Sequence, residues 1–382
     1  MSEGYLKDVR ESLDEVDGEM MRLFERRMRL SEQIADFKMR TGMPIVDMER
    51  ERKKVNGIAR NASPDLAGYE RTLYSLLSEM SKEHQRNMTD KGNGIREAYE
   101  RAITETPRAF PENVPVSCYG NEGTFCQMAC DRFFGMPEIM YFKTYESVLA
   151  AVSNGLCRYG VVPIETGARG VLDRIYDLLV ERDLKIVRSV EVPLDYNLVA
   201  NREMSRHEVT EIYLTEEAAA NLGHYLSAME NVKYVICENE AVAAKEVYGT
   251  DKRGAAAITT YRCAALNGLK LIEPSIQGDH LRHARFICVG AKAEIYPGSD
   301  KTGIAVTITN SPGEIFKLIS KFYVLGINIS KIESRRILGR DFERKLYIDF
   351  EASIYSDEFM QLMSALDEVG AEIDYLGTYM EK

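Results

Sequence analysis

Apolar side chains recur at Leu6, Val9, Leu13, Val16, Met20, Leu23, Leu30, Ile34 and Phe37, in steps of three, four or seven residues. That rhythm is a coiled-coil-like seam sustained over about five heptads. At about 1.5 Å rise per residue, a helix from 6 to 40 runs roughly 50 Å. A small domain cannot cover a stripe of that length. The sequence therefore predicts a helical partner, most simply a second copy of the chain, in a homodimer or higher homo-oligomer. Beyond Met43-Pro44 the pattern predicts two shorter helices, roughly 46–60 and 64–86.

The seam carries a cation. Continuing the repeat past Leu23 lands on Arg27, and Lys38, eleven residues on, returns within about 20° of the same face. Cations on a buried stripe are costly unless an anion meets them. A carboxylate from a neighbouring helix would satisfy that need, and so would a bound ligand. Arg10 lies about 100° away from Arg27 around the helix, placed to serve a site in a partner subunit. Asp47/Glu51 and Ser81/Gln85 stand at i, i+4 spacing, which is abundant on solvated helices and weak by itself. Together with Arg10, Arg27 and Lys38 the set is specific. The stretch "LKDVRESLDEVDGEMMRLFERRMRLSEQIADFKMRTGMPIVDMERER" resembles the all-α, intertwined chorismate mutase domain, and every polar position of that family's pocket has its expected residue type. The resemblance implies that Arg27 and the partner subunit's Arg10 clamp the carboxylates of chorismate. Lys38 and Gln85 would donate to its ether oxygen, Glu51 with Asp47 would take its hydroxyl, and Ser81 would help hold a carboxylate. The rearrangement to prephenate is pericyclic and needs no nucleophile and no proton transfer. The pocket has only to hold a dianion compactly and stabilise charge on the ether oxygen.

The rest of the chain changes rhythm. The connector "DKGNGIREAYERAITETPRAFPENVP" holds glycines, three prolines and one helix, and reads as a linker. From Val116 to about Lys292, β-rich runs (Val116–Tyr119, Tyr159–Ile164, Lys185–Val192, Glu211–Leu214, Lys233–Cys237, Ala255–Ile258, Arg285–Val289) alternate with helical stretches such as Tyr145–Ser153 and Val171–Glu181. Such alternation implies an α/β domain whose ligands sit beyond strand ends. The last eighty residues read βαββαβ, a ferredoxin-like α+β order. A net charge of −11 and a pI of about 5.2 argue against a general nucleic-acid or anionic-membrane binder. No apolar run has the length of a membrane span, and no signal peptide opens the chain. Seven scattered cysteines without a C-x-x-C pair suggest a reduced, cytoplasmic protein with no structural zinc. No His cluster or Gly-rich phosphate loop calls for a metal or cofactor.

"YGNEGTF" and "LCRYGVVPIE" resemble the opening loop and central strand of prephenate dehydratase, and "SPGEIFKLISKFYVLGINISKIESRR" resembles the ACT regulatory pattern. Taken with the helical segment, the chain is similar to the bifunctional chorismate mutase–prephenate dehydratase family. The resemblance implies a mutase domain over 1–90, a linker over 91–114, a dehydratase-type domain over 115–293 and an ACT domain over 301–382. The second would be a two-subdomain α/β unit like the periplasmic binding proteins. The dehydratase motifs depart from the family at three places. Thr-Arg-Phe reads Ala284-Arg285-Phe286, which keeps the arginine clamp and loses a hydroxyl. Glu-Asn-Ser/Thr reads Glu165-Thr166-Gly167, and Ser-His-Pro-Gln reads Leu214-Thr215-Glu216-Glu217. The expected pocket is Thr124, Glu165, Thr166, Thr215, Ala284, Arg285 and Phe286, with Glu216 and Arg169 as surrogates. Prephenate dehydration, ligand binding alone and another reaction on prephenate, such as decarboxylation without aromatisation, all remain open for it. Restoring the hydroxyl with Ala284→Thr is expected to raise dehydratase activity. His280 and His283, beside the clamp, are expected to be solvated. For the tail, the resemblance implies phenylalanine as effector, held by Gly313, Glu314, Ile315, Asn328, Glu333, Ser334 and Arg335.

Overall fold

The computed structural model describes residues 3–41, 53–54, 57, 63–89, 94–166, 170–171, 173–278, 282–337, 339–367 and 372–381. Helix α1 (Glu3–Thr41) is unbroken by proline and ends with Lys38 and Arg40 in its last turn, where the negative end of the helix dipole favours cations. Its C-terminal half packs along α2 (Ala67–Thr89), burying Ser31 and Ala35 against Ser81 and Gln85. The seam itself is bare. Leu13, Leu23 and Phe37 keep 58%, 64% and 59% of their surface exposed. The helix expected at 46–60 falls almost wholly outside the described residues.

The linker is more than a tether. Its helix, α3 (Gly94–Glu105), inserts Tyr99 into the C-terminal domain, with ring centroids 4.9 Å from Phe359 and 4.9 Å from Tyr375. The apolar face carrying Tyr99 and Ala102 is buried there.

The middle segment begins with β1 (Pro115–Tyr119), α4 (Phe125–Phe133), β2 (Glu138–Phe142), α5 (Tyr145–Ser153), β3 (Tyr159–Thr166), β4 (Gly170–Val171), α6 (Asp173–Glu181) and β5 (Lys185–Pro193). It crosses into β6 (Asn197–Ala200), β7 (Glu211–Thr215), α7 (Glu216–Asn221), α8 (Gly223–Ser227), β8 (Lys233–Cys237), α9 (Glu240–Tyr248), β9 (Ala255–Thr259), α10 (Tyr261–Leu266) and β10 (Lys270–Glu273). It returns through β11 (His283–Gly290). The first lobe has the strand order β5-β11-β3-β1-β2 and the second β10-β6-β9-β7-β8. All seven strand runs expected from the sequence appear; β2, β4, β6 and β10, of two to five residues, are additional, and the helix expected from Val171 begins at Asp173 because Val171 pairs with Glu165 in β4.

The tail comprises β12 (Lys301–Thr309), α11 (Glu314–Val324), β13 (Asn328–Arg336), β14 (Glu343–Glu351), α12 (Asp357–Asp367) and β15 (Ile373–Glu381), so the βαββαβ order is the one found. Its sheet, ordered β13-β14-β12-β15, continues into the first lobe because β15 pairs in parallel with β5, Met380 opposite Arg188. Gly377 makes that join possible. It has φ +141°, and a Cβ there would collide with the Ile186 carbonyl. Among the described residues no helix is long and apolar enough to cross a membrane.

Candidate functional site

The α1/α2 groove gathers the first predicted set. Arg27 Nη1 donates to the Leu77 carbonyl at 2.7 Å and to the Ser81 hydroxyl, and its guanidinium lies 5.9 Å from the centroid of the Tyr74 ring. Ser81 and Gln85, one turn apart on α2, are buried, and Gln85 Oε1 has no hydrogen-bond partner among the described residues. Among those residues Arg27 meets no carboxylate. A half-buried guanidinium held by neutral groups leaves charge for an incoming anion. Lys38 lies half-buried three turns further along α1. Arg10 is exposed about 25 Å from Arg27 along the helix, out of reach of its own groove. Asp47 and Glu51 lie outside the described residues.

The second site lies between the two lobes. The loop before α4 brings them together. Gly123 has φ +91°, and a Cβ there would press on Cys263 of α10, while the Thr260 hydroxyl donates to the Gly123 carbonyl at 2.6 Å. Asn239 donates to Asn121 Oδ1 at 3.2 Å, and the Tyr119 hydroxyl donates to the Glu238 carbonyl at 3.1 Å. Beside these contacts lies an open cleft of about 480 Å³. Tyr119 and Tyr145 line it from the first lobe; Thr215, Glu216, Glu217, Glu238, Asn239 and Glu240 line it from the second. Thr215 caps α7 by accepting from the Ala218 amide at 3.0 Å. Burial pushes the Glu240 carboxyl up to about 7, with a further upward push from Glu217. Burial likewise pushes Tyr119 up to about 12, helped by Glu240 and Glu238.

Only Thr215 of the seven expected pocket residues lines this cavity. Thr124 is buried at the start of α4 and donates to the Asn121 carbonyl at 2.8 Å. Thr166 is buried, with no partner for Oγ1 among the described residues. Ala284 and Phe286 lie in the lobe core. The arginine clamp is elsewhere, and this corrects the expectation. Successive side chains on a strand point to opposite faces, so with Ala284 in the core Arg285 turns the other way. The residue is 9% exposed, and its guanidinium meets Asp349 at 2.9 Å, Glu381 at 3.0 Å and Glu165 at 3.2 Å, with the Tyr379 hydroxyl at 2.6 Å and the Ser189 hydroxyl at 2.9 Å. It joins the first lobe to the C-terminal sheet. Glu165 also pairs with Lys331 of β13, and although burial acts to raise its pKa, Lys331 and Arg285 hold it below the usual carboxylate range. His283 is exposed; Arg169 and His280 lie outside the described residues. Sequence reasoning missed Tyr119, Tyr145, Glu238 and Glu240. The available signal was the run Cys237-Glu238-Asn239-Glu240 at a strand-to-helix junction of an α/β domain.

The expected effector residues are likewise divided. Gly313, at φ +93°, precedes α11, whose first residue Glu314 pairs with Lys317 at 2.8 Å; Ile315 follows, partly exposed. Asn328 is exposed at the start of the edge strand β13 and donates to Glu351 at 3.3 Å. Further along β13 parity separates the motif. Arg335 pairs with Asp177 of α6 at 3.5 Å and Glu333 lines the junction around Arg285, while Ser334 faces outward.

Comparison with known proteins agrees with this division into units. Residues 9–86 match the family model described as chorismate mutase type II, and residues 116–294 match the prephenate dehydratase model. A bifunctional chorismate mutase/prephenate dehydratase of Aquifex aeolicus is 26% identical over 98% of this chain and 97% of its own length. An arogenate dehydratase/prephenate dehydratase of Arabidopsis thaliana is 28% identical over 80% of this chain and 87% of that one. The crystal structure of prephenate dehydratase from Arthrobacter aurescens in complex with L-Phe superposes with a TM-score of 0.64 at 25% identity, covering 70% of this chain and 89% of that chain. The chain belongs to the bifunctional chorismate mutase/prephenate dehydratase family, enzymes of phenylalanine biosynthesis.

Proposed function

We propose that the α1/α2 groove converts chorismate to prephenate and that the interlobe cleft then aromatises the product to phenylpyruvate. The observation that carries the first step is Arg27, held by a carbonyl and a hydroxyl and facing no described carboxylate. Ser81 aims the guanidinium at a substrate carboxylate, and Lys38 with the Gln85 amide donates to the ether oxygen as charge develops there. Arg10 from a second copy, whose α1 covers the bare seam, completes the clamp. Asp47 and Glu51 are assigned to the substrate hydroxyl. Chorismate supplied to the purified protein is expected to yield phenylpyruvate by way of prephenate. Prephenate accumulating alone removes the second step, and no turnover removes both.

A second substrate reading for the cleft rests on its lining. Glu216, Glu217, Glu238 and Glu240 give it an acidic face. Arogenate, named for the Arabidopsis relative, carries an ammonium where prephenate carries a keto oxygen and is the better electrostatic match. A kcat/KM higher for arogenate than for prephenate supports that reading; the reverse order rejects it.

For the tail we infer an ACT-type regulatory role with phenylalanine as effector. Its support is the βαββαβ order, the left-handed Gly313 before α11, and the L-Phe carried by the Arthrobacter relative. Titration with phenylalanine tests it, and an unchanged dehydratase rate with no heat of binding rejects it.

A further inference from the structure

We propose that Glu240 is the general acid of the interlobe cleft, giving its proton to the hydroxyl that leaves the substrate ring. The inference rests on the aromatising reaction assigned to this cleft. Loss of that hydroxyl as water requires a proton at the departing oxygen. The residue from which the family resemblance would draw hydroxyl assistance, Ala284, has no such group and is buried in the core. Arg285 is turned to the other domain and occupied by carboxylates.

Glu240 is placed where a ligand in the cleft can meet it. It opens α9 at the second-lobe wall of the cavity. Its backbone is fixed on both sides, because Asn239 Oδ1 accepts from the Ala241 and Val242 amides at 3.1 and 3.0 Å and the Thr259 hydroxyl donates to the Glu240 carbonyl at 2.8 Å. The groups that face it are Glu217 of α7, Tyr119 of β1, Tyr145 of α5, Cys126 of α4, Tyr196 before β6 and Cys263 of α10. Among the described residues each of these groups is an acid; a backbone hydrogen bond at Glu240 favours the carboxylate, but burial outweighs it. Burial and Glu217 leave the carboxyl half-protonated at about pH 7, where a general acid is most effective.

The step balances without a co-reactant. The bond from the ring to its carboxylate breaks, CO₂ leaves, and the electron pair enters the ring. The bond from the opposite ring carbon to its hydroxyl breaks as the Glu240 proton moves to that oxygen. The products are the aromatic ring with its side chain, CO₂, water and the Glu240 carboxylate, which regains a proton from solvent.

The test supplies prephenate directly to wild type, Glu240→Gln and Glu240→Asp. Mutase turnover of chorismate in the same samples reports folding. Wild-type kcat is expected to fall about tenfold per pH unit above about pH 7. In Glu240→Gln kcat drops on the order of 10²–10⁴-fold and loses that limb, while KM is unchanged or lower because one negative charge is gone. Glu240→Asp recovers part of the loss. A purely structural or repulsive role predicts a KM change with kcat kept. Active wild type with a Gln variant inside about threefold of its kcat, or with no pH limb, overturns the inference alone. Wild type that makes no aromatic product across about pH 5–9 overturns the reading of the cleft and this inference with it.

Discussion

The two candidate sites solve opposite electrostatic problems with opposite materials. The α1/α2 groove is cationic, is built from two helices, and leaves Arg10 about 25 Å from Arg27 within one chain. The interlobe cleft is acidic, is built from strand ends and helix starts of both lobes, and lies within one chain. Moving bonds within a dianion takes opposite charge and a tight fit, and no proton. Expelling a hydroxyl takes a proton, so an acid is needed even where it repels part of the substrate. The difference teaches that the charge of a site follows the step it assists as well as the ligand it admits.

The sharpest way to break this contrast is Arg27→Ala. Mutase kcat/KM is expected to fall on the order of 10²–10³-fold, while turnover of supplied prephenate is unchanged. A parallel loss of both activities would mean that the two sites are not independent. The same groove tests the need for a second chain. Arg10→Ala and Arg27→Ala proteins, each inactive, are unfolded together and refolded. Half of the dimers then carry one intact site, so about a quarter of wild-type mutase activity returns. No recovery would place Arg10 outside the site.

How much of each site was legible follows from the elements that carry it. On a helix, spacing fixes direction, so Arg27 and Lys38 could be placed on one face, and Ser81 and Gln85 on another, from their positions alone; that the two faces meet was implied by the family resemblance. The limit there was Asp47 and Glu51, which lie outside the described residues. On a strand, adjacent residues diverge, and reading Ala284-Arg285 as one pocket ignored that parity. The arginine was read as a clamp for a substrate anion, but the anions it meets, Asp349 and Glu381, are more than sixty residues downstream. No local pattern announces a pairing of that kind. The βαββαβ tail was legible as an order of elements, whereas the parallel join of β15 to β5 was not.

That difference gives Arg285 a prediction unlike Arg27. Arg285→Ala leaves Glu165, Asp349 and Glu381 without their shared cation and is expected to cost about 3–5 kcal/mol of stability, read in urea melts of the full chain. The KM for prephenate moves less than about threefold. A large KM change with unaltered stability would return the arginine to the substrate pocket. Beside it, Ala284→Thr adds atoms to a filled core. It is expected to cost about 1–3 kcal/mol with no gain in dehydratase kcat, contrary to the expectation from the motif alone. A gain would show that the strand end opens to the cleft during turnover.

The smallest effect concerns the cost of keeping an acid in the cleft. Glu240 titrates at about 7 in the fold against an ordinary value of 4.5, so the native state binds its proton more tightly than the unfolded chain does. Wild-type stability attributable to this group is therefore fully present below about pH 4.5 and is lost as pH rises to about 7, with no further loss above. Glutamine does not titrate. The Tm of Glu240→Gln relative to wild type should rise across that window and then level off, by roughly 2–4 °C for each kcal/mol gained in a domain of this size. A Tm difference that stays constant from about pH 5 to 8 would mean the carboxyl is solvated and ordinary, and the acidic cleft would lose its proton donor.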